Sequence, residues 1–254
     1  MTPGNEERFQ DFFEESRYVA LKNSLYNYLL RKRAIEGMLA REQIDMILEV
    51  GSGISPVMTH TDRIVYSELS FLACRTLKQI HGKGWYVVAD ATHLPFRPGA
   101  FSHTICSEVL EHIEADGAAV RELASVLRLR GRLFLTFPHR KAFYAIDDRY
   151  VEHYRRYERD EMERLLKESG LRPLATRTVL GPLDKLTMML AVLCFEAILK
   201  RAGIGPSKRP SAALRFLGPI FKAANRLYAL LLRIEAAIVP QRWAMVLLVV
   251  AEKG

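Results

Sequence analysis

Ile47-Leu48-Glu49-Val50-Gly51-Ser52-Gly53-Ile54-Ser55 is the stretch that decides the fold of this 254-residue chain. The apolar run over residues 46–50 predicts a buried strand that ends at Gly51. Glycine lets the backbone turn sharply, and because it has no Cβ it lets a ligand approach closely. Dinucleotide-binding turns place a third glycine three residues after the second, where this chain has Pro56. The stretch therefore predicts a strand leading into a ligand-binding turn, and it argues against a dinucleotide.

Strand and helix signals alternate on both sides of this turn. Segments with helical spacing, such as residues 117–129 and 158–169, separate the apolar runs. Alternating β and α units predict a parallel sheet with helices on both faces, and such sheets bind ligands beyond the carboxyl ends of their strands. The runs that predict strands are residues 46–50, 63–67, 85–89, 103–107, 133–137 and 172–180, with a last strand at 243–251.

Acidic residues follow the second and third predicted strands, at the edge where ligands bind. Glu68 ends the second strand, 15 residues beyond Gly53, and a carboxylate there accepts hydrogen bonds from the hydroxyls of a ribose. Asp90 follows the third strand, where it can accept a hydrogen bond from an adenine amino group. A single acid at a strand end is usually just solvated, so these residues carry an argument only as a set.

Together with Ser107-Glu108-Val109-Leu110 after the fourth strand, these strand ends resemble the class I S-adenosylmethionine-dependent methyltransferases in order and spacing. The resemblance covers residues 44–171 and is greatest to the broad group that includes quinone and polysaccharide methyltransferases. It implies an α/β fold, a Rossmann-like seven-stranded methyltransferase sheet whose last strand is antiparallel. It also implies that S-adenosylmethionine is bound by Glu49, Gly51, Ser52, Gly53, Glu68, Leu69, Asp90, Ala91, Ser107, Glu108 and Val109.

One residue departs from the family pattern. Ser55 stands where many members have a third glycine, and Pro56 follows it. A serine side chain there would narrow the turn or cap a following helix. Cofactor binding is still implied by the resemblance, but the affinity is left open.

The acceptor side of the site is less determined by the sequence. Methyl transfer is an in-line displacement at carbon that needs no metal, whereas a hydroxyl or acidic-carbon acceptor needs a base. The candidates are His139 after the fifth strand, and His153 and Tyr154 in a segment that resembles the one beside the active-site mouth of these enzymes. The alternative is that His153 orders its loop through a backbone hydrogen bond.

Other polar residues near the strand ends receive structural interpretations. His112 is interpreted as packing on the glycine turn, and Asp147 and Asp148 as solvated acids in a polar loop. No set of metal ligands is recognised in the sequence, so no metal site is expected.

Cysteine usage and missing motifs exclude several classes of chemistry. Cys74, Cys106 and Cys194 form no Cys-x-x-Cys pair, which argues against a disulfide framework or a zinc site and fits a reducing cytoplasm. Cys106 falls inside a predicted strand, which argues against a cytosine-C5 nucleophile. The fourth strand lacks the Asn/Asp-Pro-Pro-Tyr/Phe motif of amino-group nucleic-acid methyltransferases. No signal peptide and no uncharged apolar stretch of about 18 residues are visible, so a cytoplasmic location without a spanning helix is expected.

The predicted organisation has four parts. Residues 1–43 form an N-terminal helical cap, 44–182 the cofactor-binding core, 183–242 an apolar, basic helical insertion and 243–254 the last strand. The net charge of +8 is concentrated after residue 182, where eleven Lys/Arg face four Asp/Glu.

The insertion has the pattern of an amphipathic helix with a basic stripe. Arg215, Lys222, Arg226 and Arg233 recur at steps that keep them on one side of a helix, among apolar residues. This pattern suits peripheral membrane contact through residues 213–238. An equal alternative is that the helix packs on the core or on the partner subunit of a homodimer.

These observations predict methyl transfer from S-adenosylmethionine to a small-molecule or lipid-linked acceptor, at oxygen or carbon, by a cytoplasmic protein peripheral on the inner membrane face. An RNA methyltransferase is one alternative, favoured by the basic charge but lacking aromatics interleaved with the bases. A non-catalytic, membrane-associated or dimeric assembly partner is another. The sequence does not identify the acceptor, the methylated atom, the base or the oligomeric state.

Overall fold

The computed structural model describes Asn23, residues 25–202 and residues 212–254, with side chains throughout except in 195–202 and 212–220. Within the predicted N-terminal cap it contains one helix, α1 (Tyr26–Leu39). The rest of the predicted cap, residues 1–22 and residue 24, lies outside the described residues. So do residues 203–211, which the sequence predicts as a loop.

The described strands form one seven-stranded mixed sheet in the order β3-β2-β1-β4-β5-β7-β6. Strand β7 pairs antiparallel with β5 and with β6, whereas the other neighbouring strands are parallel. The predicted α/β fold is therefore confirmed, with a Rossmann-like sheet and an antiparallel last strand. The strands are β1 (Ile47–Val50), β2 (Ile64–Glu68), β3 (Trp85–Val88), β4 (Phe101–Ser107), β5 (Leu127–Pro138), β6 (Leu171–Leu180) and β7 (Val246–Lys253).

Strand β5 begins earlier than the sequence predicts. Its first residue, Leu127, is buried, but residues 128–130 are exposed. These three residues are two arginines and a leucine, and they do not form an apolar run. Because the prediction rested on an apolar run, it found only the buried half of the strand, from residue 133. The same extension shortens the preceding helix, which ends at Val126 instead of residue 129.

Helices cover both faces of the sheet. Two apolar cores result, one on each face, because alternate residues of a strand point in opposite directions. Leu48, Leu123 and Leu135 belong to one core, and Ile47 and Phe134 to the other. The helices after α1 are α2 (Phe71–His81), α3 (Asp116–Val126), α4 (Ile146–Tyr150), α5 (Arg159–Glu168), α6 (Pro182–Ala202) and α7 (Ala212–Ile238).

The connection from β1 to β2 consists of turns and bends over residues 51–63, so Ser55 caps no helix. Helix α1 and strand β2 hold this segment through its carbonyl oxygens. The Tyr28 hydroxyl donates to the carbonyl of Pro56 (2.8 Å), and the Tyr66 hydroxyl donates to that of Met58 (2.6 Å). The main-chain groups of a buried irregular segment need such partners.

The two helices between β6 and β7 pack on the rest of the fold along one side only. Ala229 and Leu232 of α7 are buried in the core that also contains α1, and the rings of Tyr26 and Tyr228 meet edge-on at 5.0 Å. Helix α7 begins at Ala212, so Pro219 lies inside it. None of the described helices combines the length and the apolarity needed to cross a bilayer.

Candidate functional site

The glycine turn after β1 has a backbone that only glycine adopts without strain. Gly51 and Gly53 have φ of +69° and +53°. The Gly51 N–H donates to the carbonyl of Ser67 in β2 (2.8 Å), which fixes the turn against the neighbouring strand. A Cβ on Gly51 would lie 2.3 Å from Cγ2 of Val109. The segment after β4 therefore packs against the turn at Gly51, and this close approach is possible because glycine has no side chain.

Glu68 connects the end of β2 to this turn. One carboxylate oxygen accepts from the Gly53 N–H (2.8 Å) and the other from the Ser70 N–H (3.1 Å). The side chain is buried. The structure thus brings the predicted ribose-binding acid directly beside the predicted glycine turn.

Asp90 lies at the adjacent strand end. Glu68 pairs with Val88 in the sheet, and the Ala89 N–H donates to the Glu68 carbonyl (3.0 Å). One oxygen of Asp90 accepts from the N–H and the hydroxyl of Thr92, both at 2.8 Å. Leu69, Asp90 and Ala91 are all partly exposed at this edge, as a nucleoside-binding surface requires.

Glu49 points its carboxylate at the chain itself. Its two oxygens accept from the N–H groups of Val57 (2.5 Å) and Met58 (3.0 Å). Burial raises the pKa of this carboxyl to about 7, although the two backbone hydrogen bonds act in the opposite direction. Glu49 therefore holds the segment after the glycine turn in place.

Buried serine hydroxyls surround the turn. Within the described part of the chain, the Oγ atoms of Ser52, Ser55 and Ser67 have no hydrogen-bond partner. An unpaired buried hydroxyl is costly, so such groups point to a polar ligand or to water. The turn therefore offers hydrogen-bonding capacity that the described chain does not use.

The segment after β4 is strained and closes on the turn. Glu108 has φ of +56°, which is uncommon for a residue with a side chain. This kink directs Val109 against Gly51, ahead of a 3₁₀ turn over Leu110–His112. Val109 is the residue nearest to the open side of Gly51. The interpretation that His112 packs on the glycine turn stays a prediction. The Ser107 hydroxyl is bonded to that of Thr136 (2.9 Å).

His112 instead faces His153. Their rings meet edge-on with centroids 4.8 Å apart, and Nε2 of His153 lies 3.8 Å from Oε1 of Glu111. Glu111 is completely buried, and neither of its carboxylate oxygens has a hydrogen-bond partner among the described residues. Burial, together with the nearby charge of Glu108, raises the pKa of Glu111 well above its usual value.

His153 is oriented by a carboxylate. Its Nδ1 lies 3.0 Å from Oδ1 of Asp148, which also accepts from Nε of Arg156 (2.7 Å). Burial alone would raise the pKa of Asp148, but the His153 hydrogen bond and the charges of Arg156 and Lys185 hold it well below its usual value. The alternative expected His153 to order its loop through a backbone hydrogen bond. The His153 N–H does donate to the carbonyl of Asp148 (2.9 Å), whereas its ring is held by the Asp148 side chain.

The interpretation of Asp147 and Asp148 as solvated acids in a polar loop is wrong. Both are buried, and Nζ of Lys185 in α6 donates to Asp147 at 2.6 and 2.8 Å and to Asp148 at 2.7 Å. Buried carboxylates need such partners because the interior solvates charge poorly. The first turn of the insertion is thereby fixed to the segment that carries His153.

The other two candidate catalytic residues lie differently. The Tyr154 N–H donates to the carbonyl of Glu111 (2.8 Å), so Tyr154 adjoins the cluster formed by Glu111, His112 and His153, and its side chain is exposed. His139 is buried, with Nδ1 3.0 Å from the carbonyl of Ala244 and Nε2 4.0 Å from Glu158. These contacts place its ring toward β7, apart from Glu111 and His153, and burial lowers its pKa.

Two charged residues border the cluster from α1 and α6. Nη1 of Arg31 lies 3.9 Å from a carboxylate oxygen of Glu108. Asp184 is buried, which raises its pKa to about 6. Cys106, in contrast, is buried within β4 and burial raises the pKa of its thiol, as expected for a cysteine that is not a nucleophile.

Glu111 and the residues that hold His153 in place were not predicted from the sequence as site residues. Glu111 stands in the stretch that defined the fourth strand end, and the signal was an acid within an apolar sequence that ends in Ile113. Asp148, Arg156 and Lys185 carried no local signal, because their pairing joins distant parts of the chain.

Comparison with known proteins gives a consistent result. The profile of a family described as methyltransferase domain matches residues 48–135, which include the glycine turn, Glu68, Asp90 and the end of β4. A search of curated protein sequences found no match to this chain.

Many solved structures share the fold. One is an S-adenosylmethionine-dependent methyltransferase of Thermotoga maritima, 14% identical over 98% of this chain and 97% of that chain, with a TM-score of 0.61. A phosphoethanolamine N-methyltransferase of Haemonchus contortus, in complex with S-adenosylmethionine, is 15% identical over 96% of this chain and 60% of that chain (TM-score 0.59). A geranyl diphosphate C-methyltransferase of Streptomyces coelicolor is 13% identical over 88% and 78% (TM-score 0.57).

Proposed function

We propose that this chain, whose residues 48–135 match a methyltransferase domain, is a class I S-adenosylmethionine-dependent methyltransferase that methylates a small-molecule or lipid-linked acceptor at oxygen or carbon. The observation that carries the proposal is the hydrogen bond between Glu68 and Gly53, which joins a buried carboxylate to a glycine turn at the open ends of the strands. The methyltransferase domain supports the reaction type, and the helices that border the site support the class of acceptor.

The residues present fit the family's cofactor. S-adenosylmethionine supplies a methyl group on a sulfonium sulfur, a ribose diol and an adenine. We propose that Glu68 accepts from the ribose hydroxyls, that Leu69, Asp90 and Ala91 hold the adenine, and that Gly51 to Gly53 admit the methionine part without steric conflict. Unpaired Ser52 and Ser67 hydroxyls support a polar ligand at the turn. Residues 107–109 close the sulfonium end, and Glu49 positions the turn through Val57 and Met58.

We propose that His153 is the residue that activates the acceptor. Asp148 orients its ring, and the backbone of Tyr154 anchors the segment beside the end of β4. A carboxylate-oriented imidazole is the usual arrangement for taking or holding a proton near neutral pH. His139 lacks this placement because its nitrogens face Ala244 and Glu158.

An apolar acceptor is supported by the insertion. Leucines at steps of three and four along α6 are exposed, and so are the apolar residues of α7 on the side away from the core. Contiguous exposed apolar surface marks a binding site or a membrane contact. The α6 set is Leu183, Leu186, Leu190 and Leu193, and the α7 set is Leu227, Leu230, Leu231, Ile234 and Ile238.

A basic groove between α1 and α7 supports an anionic group next to this apolar surface. The groove has a volume of about 530 Å³ and is lined by Lys32, Arg33, Arg226 and Arg233 together with leucines and one acid, Glu36. Cations above an apolar helix face favour the phosphate-bearing surface of a membrane. We therefore propose that α7 contacts an anionic membrane, from which the enzyme takes a lipid-linked acceptor.

Glu68→Gln should weaken binding of the demethylated cofactor, S-adenosylhomocysteine, about 10- to 100-fold. The reason is that a charged acceptor of ribose hydroxyl hydrogen bonds, worth about 1.5–3 kcal/mol, is replaced by a neutral amide. Calorimetric titration measures the affinity. Glu42→Gln is the matched control, because Glu42 is a partly buried carboxylate paired with Arg132 near the opposite ends of the strands. Equal affinities in the wild type and Glu68→Gln would refute the cofactor assignment.

Leu227→Ser/Leu231→Ser should reduce binding to anionic phospholipid vesicles by about 10-fold or more, because each leucine contributes about 1 kcal/mol or more when its apolar area is buried. The two side chains are 63% and 53% exposed. Sedimentation with phosphatidylglycerol vesicles measures binding. Leu129→Ser is the matched control, since Leu129 is 69% exposed on β5. Failure of the wild-type protein to bind vesicles would exclude the membrane proposal, and salt-sensitive binding to RNA would favour the RNA alternative.

A further inference from the structure

Three side chains with metal-ligating atoms meet beside the end of β4. One ligand atom from each of Glu111, His112 and His153 lies within 4.8 Å of the others. Ligand atoms at about 2.1 Å from a cation are up to about 4.2 Å apart, so a side-chain shift of less than about 1 Å would complete the geometry. Two imidazoles and one carboxylate form a donor set that suits first-row divalent metal ions.

Glu111 gives an independent indication of a ligand. It is 0% exposed, and both of its carboxylate oxygens lack hydrogen-bond partners among the residues that the structure describes. A buried carboxylate without partners costs several kcal/mol unless a charge compensates it. Arg31 lies 3.9 Å from the carboxylate of Glu108, whereas the ion-pair contact of the Glu111 carboxylate among the described residues is with Nε2 of His153, at 3.8 Å. A cation in contact with Glu111 would supply the missing partner.

The orientation of His153 supports the same conclusion. Because an ionised carboxylate only accepts, Nδ1 of His153 donates to Asp148, and Nε2 is the ring nitrogen that lies 3.8 Å from Oε1 of Glu111. A carboxylate bonded to the second nitrogen of a metal-binding histidine is the common outer arrangement of such sites. Arg156 and Lys185 fix Asp148 in turn, so three side chains preorganise His153.

We infer that Glu111, His112 and His153 bind one divalent first-row transition-metal ion, with its remaining positions open to the acceptor. Three protein ligands with open positions are typical of catalytic metal sites. The sequence alone predicted no such site, because His153 lies 41 residues beyond His112 and nothing local joins them.

The inference rests on the proposed function for its chemical role. An acceptor hydroxyl on the ion would lose its proton more readily, to a water molecule, and its oxygen would then form the bond to the methyl carbon while the methyl–sulfur bond breaks. No electron is gained or lost in this step. His153 would thus activate the acceptor through the ion instead of taking the proton itself.

The test is direct metal binding. Metal-free protein is titrated with Co²⁺, followed by its visible absorption, and then with Zn²⁺ to displace it. We expect one equivalent of Co²⁺ per chain. Glu111→Gln and His153→Gln should each weaken Co²⁺ binding by about 10- to 100-fold or more, because each removes a ligand. Affinity for S-adenosylhomocysteine should stay within about twofold, which shows that both variants are folded.

His60→Ala is the matched control, because its side chain is 73% exposed and lies outside the cluster. We expect this variant to bind Co²⁺ as the wild type does. The inference is overturned if the wild type binds no Co²⁺ or Zn²⁺, or if Glu111→Gln and His153→Gln bind Co²⁺ with unchanged affinity. Metal binding without any methyl transfer would leave the inference standing and count only against the proposed function.

Discussion

Gly51→Ala is expected to destabilise the protein by about 2–5 kcal/mol and to abolish measurable binding of S-adenosylhomocysteine. The left-handed φ of +69° costs a residue with a Cβ about 1–2 kcal/mol. The new methyl group would also lie 2.3 Å from Cγ2 of Val109, and overpacking of this kind costs about 1–3 kcal/mol. Chemical denaturation measures the first effect and calorimetric titration the second.

Two further variants separate the causes of this loss. Gly37→Ala is the control, because Gly37 lies in α1 with nothing within 4 Å of an added Cβ, and alanine should stabilise the helix by up to about 1 kcal/mol. Gly51→Ala/Val109→Ala removes the side chain that the new methyl would meet, so part of the stability should return while the backbone strain persists. If Gly51→Ala were as stable as Gly37→Ala and bound ligand normally, the described contact between the turn and Val109 would be incorrect.

Lys185→Met is expected to lower the free energy of unfolding by about 3–5 kcal/mol, because it removes one partner from a buried charge network. Nζ of Lys185 donates to both Asp147 and Asp148, and without it Arg156 and His153 must compensate two buried carboxylates. For a chain of this length the change corresponds to a lower Tm by roughly 8–15 °C. Thermal and chemical denaturation near neutral pH measure it.

The comparison variant is Lys83→Met. Lys83 is 63% exposed and its nearest acid, Asp62, is 3.6 Å away, so its removal should change stability by less than about 0.5 kcal/mol. If Lys185→Met changed the free energy of unfolding by a similarly small amount, Asp147 and Asp148 would be solvated and would not depend on Lys185. A pH titration provides a second check: loss of the Lys185 charge should raise the pKa of Asp148, so that the variant loses stability at higher pH than the wild type as acid is added.

The cofactor half of the candidate site was accessible from the sequence because it consists of local signals. Gly51 and Gly53 follow an apolar run, and Glu68 and Asp90 follow the next two runs at strand ends. Parallel strands place their carboxyl ends at one edge, so residues far apart in sequence share a site once the alternation of strands and helices is recognised. The structure bears out this geometry at Glu68 and Gly53, which are joined by a hydrogen bond.

Local sequence patterns also led to predictions that differ from the structure. The period of apolar residues reveals which side chains are buried in a regular element, but the first part of β5 is exposed and has no such period. Ser55 and Pro56 gave no sign that the β1–β2 connection is irregular, because α1 supplies the hydrogen bonds that make this possible. Nothing in the local pattern predicted that the left-handed backbone at Glu108 would direct Val109 against Gly51.

By itself the sequence determined the α/β architecture, the glycine turn and the acids at the strand ends, because hydrophobic period and glycine placement act within a few residues. Only the tertiary structure decided that Asp147 and Asp148 are buried against Lys185 and that Glu111 meets His112 and His153. Those contacts join segments about 40 residues apart. These contacts form only when the helices pack at the edge of the sheet. The periodicity of the sequence does not predict which distant charged residues become buried next to each other.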